Sequence, residues 1–328
     1  MPHDFEVGLV PSVRHLSADD LGIGVSATVA MTHASNAPDA PRLAQDDLQF
    51  LRVRRLLPLF GGVIFTGPPG TGKTYAAAQI AERLAGDKNR VRFVQFHASY
   101  QYDDFMEGFA PTETGFKPSD GAFLAICKEA LADPHHTYVL VIDELSRADA
   151  ARVFGEALTY VERSKRGLEV TLASGTPLIV PANLEILATM NPVDRGVDEV
   201  DAAFERRFAK IKVDPSRDEL DRILAKSGLE DGLKARVLAW FSLVNGKFAR
   251  DNPSAAVGHA YFINVGGVDG LRDVWEYQLQ FAVDRAFRLD AESRSSVESG
   301  WKNMFVGLPG GWDGHQLASE QERPVEPA

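Results

Sequence analysis

Gly67-Pro68-Pro69-Gly70-Thr71-Gly72-Lys73-Thr74 matches the pattern G-x-x-x-x-G-K-[ST] at every fixed position, and the apolar run Val63-Ile64-Phe65 leads into it. The residue types have a physical reason. Glycines let the backbone curl so that successive N–H groups turn toward a phosphate, and the helix that follows presents its positive N-terminus. Lys73 adds a mobile charge for the β- and γ-phosphates, and the Thr74 hydroxyl is the expected Mg²⁺ ligand. Beyond the loop, Ala76, Ala77, Ile80, Ala81 and Leu84 keep helical spacing until Gly86. A strand, this loop and a helix in that order predict a nucleoside triphosphate site on an α/β fold.

Downstream of the loop, 91–96 reads as a second strand, 97–116 as an irregular polar and aromatic run, and about 121–131 as a helix. Segments 138–142 and 184–189 are further strands, so strands alternate with helices and predict a parallel sheet flanked by helices. Between these strands, 149–166 reads as one helix with Val153, Phe154, Ala157, Leu158 and Val161 on one face, and 169–172 with 178–180 as a hairpin. Upstream, 46–60 is a short amphipathic lead-in carrying Leu48, Leu51, Leu56 and Leu57 among Arg52, Arg54 and Arg55.

Past Pro215 the periodicity is helical throughout, with Leu220, Ile223 and Leu224, then Leu233, Val237, Leu238, Phe241 and Val244, then Leu271, Val274, Trp275, Leu279 and Val283. This predicts an α/β domain over 46–214 and a smaller helical lid over 215–307. Residues 1–45, with an Ala- and Pro-rich stretch over 36–41, read as an extension without an assigned role. Residues 308–328, with Pro309, Pro324 and Pro327, read as a disordered tail.

Composition, at 45% hydrophobic and 25% charged over 328 residues, is that of an ordinary globular protein with room for two domains. A single cysteine, Cys127, excludes an intrachain disulfide and a cysteine-rich metal site, and fits a small buried apolar residue in a reducing compartment. No uninterrupted apolar stretch has the length of a membrane helix, and Met1-Pro2-His3-Asp4 does not begin a secretory leader, so a cytoplasmic protein without membrane contact is expected. A formal charge of −11 argues against gripping nucleic acid over the whole surface, although a local basic channel stays open.

Three further patterns carry chemistry. Val139-Leu140-Val141-Ile142-Asp143-Glu144 is an apolar strand ending in two acids; the first can hold the Mg²⁺ shell and the second can orient or deprotonate an attacking water. Leu187-Ala188-Thr189-Met190-Asn191 ends another strand in an amide, where ligands of α/β folds bind, so Asn191 is either a water-positioning group or a turn residue before Pro192. Glu205-Arg206-Arg207-Phe208 stands just before the helical region, and its arginines can either reach a neighbouring subunit's γ-phosphate or lie on the surface.

Together these residues resemble the AAA+ ATPases, and within them the McrB-type motors of modification-dependent restriction systems. The resemblance covers about 60–265 and is most specific in Phe96-His97-Ala98-Ser99-Tyr100-Gln101-Tyr102-Asp103-Asp104-Phe105, in Ile142-Asp143-Glu144-Leu145-Ser146-Arg147-Ala148, and in Met190-Asn191-Pro192-Val193-Asp194-Arg195. It implies Asp143 and Glu144 as the Walker B acids, Asn191 as sensor 1, and Arg206 or Arg207 as a finger acting across a subunit boundary. It also implies a homo-oligomeric ring, expected to be a hexamer, a partner nuclease of the McrC type, and DNA contact through that partner. Gly258-His259-Ala260-Tyr261-Phe262 is similar to a lid motif of the group, which puts His259 either near the nucleotide or in the lid core.

Two departures bound the resemblance. McrB-type proteins carry a DNA-reading domain ahead of the motor, and residues 1–45 are too few for one of comparable size. McrB itself resembles a GTPase, whereas this chain has no Asn-Lys-x-Asp motif and the base rate of AAA+ proteins favours ATP, with GTP the alternative. A MoxR-like remodelling chaperone and a nucleotide-gated scaffold remain competing readings, the latter opposed by the intact Lys73, Asp143, Glu144 and Asn191.

Overall fold

The structure, a computed structural model, describes residues 47–112, 115–192 and 202–312. The N-terminal extension, Val193-Asp194-Arg195 and most of the expected tail lie outside the described residues. Its elements begin with α1 (Leu48–Leu56), β1 (Gly62–Thr66), α2 (Lys73–Ala85), β2 (Val91–Gln95), α3 (Tyr102–Phe105), β3 (Glu107–Thr112), β4 (Gly115–Asp120), α4 (Ala122–Ala132) and β5 (Tyr138–Asp143). They continue with α5 (Ala150–Phe154), α6 (Ala157–Tyr160), β6 (Glu169–Thr171), β7 (Pro177–Ile179), β8 (Leu184–Met190), α7 (Ala202–Glu205) and β9 (Phe208–Lys212).

Five strands form one parallel sheet in the order β2-β5-β8-β1-β9. Side chains alternate across a strand, and the continuous apolar runs serve two covered faces. Val63, Phe65, Val139, Val141 and Leu187 pack with α1 and α2 through Phe50, Val53, Leu57, Ala77, Ile80 and Ala81. Ile64, Leu140, Ile142, Ile186 and Ala188 face the other way, onto α4 through Phe123, Leu124, Ile126 and Cys127. Cys127 is buried and its thiol is pushed up to about 12 by desolvation, which suits an apolar filler rather than a nucleophile.

The parallel, helix-flanked sheet agrees with the sequence reading, and several local features differ from it. The expected helix over 149–166 is broken: α5 ends at Gly155, with φ 50°, and a short 3₁₀ turn over Arg163–Lys165 follows α6. The aromatic run instead contains α3 and an antiparallel hairpin of β3 and β4, whose Phe109 and Phe116 are exposed. Strand β9, with Phe208, Ala209 and Ile211 buried and Lys210 and Lys212 exposed, has no counterpart in the sequence reading. In α1 the buried face is Phe50 and Val53, while Leu48 and Leu51 are exposed.

The helical region begins with α8 (Arg217–Leu224) and α9 (Asp231–Leu243) and has its own core, in which Leu220, Val237, Phe241, Phe262, Leu271, Trp275 and Trp301 are buried together. Ser216 caps α8 by accepting from the Glu219 N–H at 3.2 Å. The tail expected from 308 onward starts instead with packed residues. Leu308 and Trp312 lie against this core, and Arg272 donates to the Gly311 carbonyl, because an aromatic side chain and a buried guanidinium are on hand there to be covered.

Candidate nucleotide site

Parallel strands place all their C-terminal ends on one edge, and β5, β8 and β1 are adjacent, so Asp143, Asn191 and the loop after Thr66 lie side by side. The loop is tied to the neighbouring strand where the Gly67 N–H donates to the Met190 carbonyl at 3.3 Å. Gly72 has φ 75°, a left-handed conformation that L side chains adopt at a cost, and α2 starts at the next residue. Lys73 Nζ donates to the carbonyls of Gly67 and Pro68, both at 2.8 Å, and Thr71 Oγ1 to that of Pro68 at 2.9 Å. The lysine therefore rests inside the curl of Gly67-Pro68-Pro69-Gly70-Thr71-Gly72.

Thr74 Oγ1 donates to Asp143 Oδ1 at 2.7 Å, linking the start of α2 to the end of β5. This hydroxyl and carboxylate fit a Mg²⁺ ion of the kind that keeps water and phosphate oxygens as its remaining ligands. No cluster of three or more acidic, histidine or cysteine ligands exists among the described residues, so the protein offers no closed metal cage there. Glu144 follows with φ 55° and ψ 44°, the one non-glycine residue at positive φ among those described. Its Oε2 is buried and accepts no hydrogen bond, while Arg147 Nε lies 3.5 Å from it. Such an oxygen can accept a proton from a water. Asn191, 5% exposed, stands at the end of β8 between the acids and the loop.

Arg206 and Arg207 immediately precede β9 at the opposite, N-terminal edge of the sheet, where the Gly61 N–H donates to the Arg207 carbonyl at 2.8 Å. A five-residue strand puts roughly 16 Å between that edge and the loop. Arg207 is 9% exposed and pairs with Glu162 at 2.8 Å, so of the two finger candidates it is turned into its own fold. Arg206 is exposed and lines a cleft of about 540 Å³ with Leu59, Glu162 and Lys165. Neither arginine is brought to the phosphate loop of its own chain.

The helical region touches the loop directly. Ala260 N–H donates to the Gly70 carbonyl at 2.8 Å, and a Cβ on Gly258 would lie 2.1 Å from the same oxygen, so only glycine fits. His259 Nδ1 accepts from the Ser216 N–H at 3.3 Å, which leaves the proton of the neutral ring on Nε2. That Nε2 is 3.6 Å from where a Gly72 Cβ would stand. Burial pushes the His259 pKa down, partly offset by Glu219, so the neutral ring is favoured.

The sequence reading did not single out Thr189, Gly258 or Tyr261 for a role. Thr189 is two residues from Asn191 in the same quoted strand, and Gly258 and Tyr261 flank His259, so each lay next to a recognised signal. Spacing along one chain cannot report which carbonyl a lid glycine meets.

Residues 62–208 match the family model of the AAA domain, dynein-related subfamily. The class is thus an AAA+ phosphate-loop module followed by a helical region. The chain is 34% identical over 214 residues to the type IV methyl-directed restriction enzyme EcoKMcrB subunit of Escherichia coli, covering 61% of this chain and 47% of that one. It is 27% identical over 188 residues to the type II restriction enzyme BsuMI component YdiS of Bacillus subtilis, covering 44% of this chain and 55% of that one. A replication factor C small subunit of Methanopyrus kandleri matches over 117 residues at 31% identity, covering 35% of this chain and 18% of that one. Residues 62–208 are thus an AAA domain, and the chain is similar to McrB-type restriction subunits over this domain and its flanks. It spans about half the length of the two restriction subunits it matches.

Proposed function

We propose that the chain is a ring-forming nucleoside triphosphatase motor, cutting ATP, with GTP as the alternative substrate, to drive a partner nuclease of the McrC type in restriction of foreign DNA. The observation that carries it is the joined cluster of Thr74, Asp143 and Glu144 beside Lys73, since a protein that only binds nucleotide has no use for a second carboxylate there whose buried oxygen accepts no hydrogen bond and is approached only by Arg147 at 3.5 Å. Two relatives that are restriction components support the biological setting. DNA contact then falls to the partner, in keeping with a net charge of −11.

In this reading Lys73 exchanges the carbonyls of Gly67 and Pro68 for β- and γ-phosphate oxygens, with the backbone N–H groups of Gly70, Thr71 and Gly72 around the β-phosphate. Thr74 and Asp143 would hold Mg²⁺, which would supply charge neutralisation for the phosphate oxygens. Asn191 holds the attacking water, and Glu144 accepts its proton as the new P–O bond forms and the bond to the β-phosphate oxygen breaks. His259 Nε2–H donates toward the phosphates from the lid. Arg206, too far from its own loop, stabilises the departing charge in a neighbouring copy, which makes the active site shared and the ring, expected to be hexameric, obligatory for turnover.

Phosphate release by the full chain with ATP and with GTP, in Mg²⁺ buffer, tests the reading. Turnover with one of them, and a fall on the order of 10²–10⁴-fold in Glu144→Gln with nucleotide binding retained, is the expected result. An unchanged rate in that variant would remove Glu144 from the mechanism, and no turnover with either nucleotide in the presence of a partner nuclease would remove the motor.

A further inference from the structure

We infer that Thr189 is a positioning residue that sets both acids at the end of β5 in the geometry that metal binding and hydrolysis require; the inference rests on the reading of Asp143 and Glu144 given above. Thr189 is 2% exposed, on β8 beside β5, and its hydroxyl makes two hydrogen bonds. Oγ1 donates to Asp143 Oδ1 at 2.5 Å and accepts from the Glu144 N–H at 3.1 Å. A hydroxyl has one donor and two acceptor positions, so this arrangement uses it in both directions at once. The Thr74 and Thr189 hydroxyls thus converge on one carboxylate oxygen, one from α2 and one from β8.

The need for such a residue follows from the backbone. The β5–β8 register ends with Ile142 opposite Ala188, and the chain turns left-handed at Glu144, taking its N–H out of the ladder. A buried N–H requires an acceptor, and an L residue stays at positive φ only where its surroundings hold it there. The Thr189 side chain supplies the acceptor that the ladder no longer provides. By the same bond it aims the Glu144 side chain, while its proton fixes the rotation of the Asp143 carboxylate. Such groups behind a metal ligand commonly carry 10–100-fold of activity or metal affinity by order of magnitude.

The test uses Thr189→Val, which keeps β-branching and strand preference but has no hydroxyl, and Thr189→Ser, which restores it. Turnover, KM, and the Mg²⁺ concentration needed for half-maximal binding of a fluorescent ATP or GTP analogue are measured on the full chain. Thr189→Val is expected to lose roughly 10–100-fold in kcat with KM unchanged and to need more Mg²⁺, and Thr189→Ser to recover most of both. Should the valine variant lose its native circular dichroism, Thr189→Ala takes its place with the same expectation. A wild-type kcat and Mg²⁺ requirement in the hydroxyl-free variant would overturn the inference, as would a serine variant as impaired as the valine one, because restoring the hydroxyl would then not restore function. If the wild-type chain hydrolyses neither nucleotide, the motor reading fails separately, and the Mg²⁺ dependence of binding decides Thr189 alone: a shift upholds it and no shift overturns it.

Discussion

Arg206 and Arg207 are adjacent, yet Arg206 stands exposed while Arg207 is ion-paired to Glu162. Their substitutions should therefore fail in different ways. Arg206→Ala should lower turnover by about 10³–10⁵-fold with unfolding and nucleotide binding unaltered, read by phosphate release beside urea denaturation. Arg207→Ala should chiefly unfold more easily. Breaking a fully buried pair costs about 3–5 kcal/mol, and with the Glu162 side chain 27% exposed a loss of roughly 1–3 kcal/mol is expected. His259 gives a pH signature. Its pKa is lowered from 6.5 by burial, so the unfolded chain takes up the proton first as pH falls. The stability linked to this ring is fully present above pH 6.5 and is lost as pH falls through the lower, folded value. His259→Gln should flatten the decline in denaturation midpoint as pH falls below 6.5, and an unaltered slope would show that other groups cause it.

At the scale of elements, the contact between the helical region and the phosphate loop rests on backbone. Gly258→Ala would drive a methyl group into the Gly70 carbonyl, which also accepts from Ala260. We expect this variant to bind nucleotide more weakly while its helical content is unchanged, measured by titration with a fluorescent nucleotide and by circular dichroism. Equal affinity would mean that the lid does not need this seat. The opposite edge of the sheet is held differently. Arg163 Nε donates to the carbonyls of Leu57 and Phe60, and Arg166 Nη2 to that of Gly61, closing the end of α1 and the start of β1. Burial brings Arg166 down to about 10, still well charged at neutral pH. In the sequence both arginines belong to a segment that reads as plain helix, because the glycine break at 155 that aims them elsewhere depends on φ, which composition does not reveal.

For the whole molecule, the proposed finger role of Arg206, on the sheet edge away from the phosphate loop, would require two copies to meet. Specific activity should then rise with protein concentration until rings are filled, since assembly follows mass action. Light scattering alongside phosphate release would check it, and constant specific activity from a demonstrated monomer would defeat the shared site. The exposed Phe109 and Phe116 on the β3 and β4 hairpin belong to the same scale, as part of the surface that a monomer leaves to solvent.

The sequence by itself determined the phosphate loop, the Asp143-Glu144 strand end, Asn191 and the parallel class of the sheet. Each is a local pattern: the loop needs glycines at fixed steps, and a strand covered on both faces must be continuously apolar. Strand β9 was not legible, because Lys210 and Lys212 interrupt its apolar residues at the sheet edge, and the hairpin of β3 and β4 was hidden among polar and aromatic residues whose pairing partners lie across a turn. The tertiary structure decided the rest. Which of two neighbouring arginines is exposed, that Thr189 reaches both Asp143 and Glu144, and that Gly258 meets Gly70 are facts about distance between segments far apart in the chain. Side chains are oriented by the packing around them, and that packing exists only once the strands have taken their order.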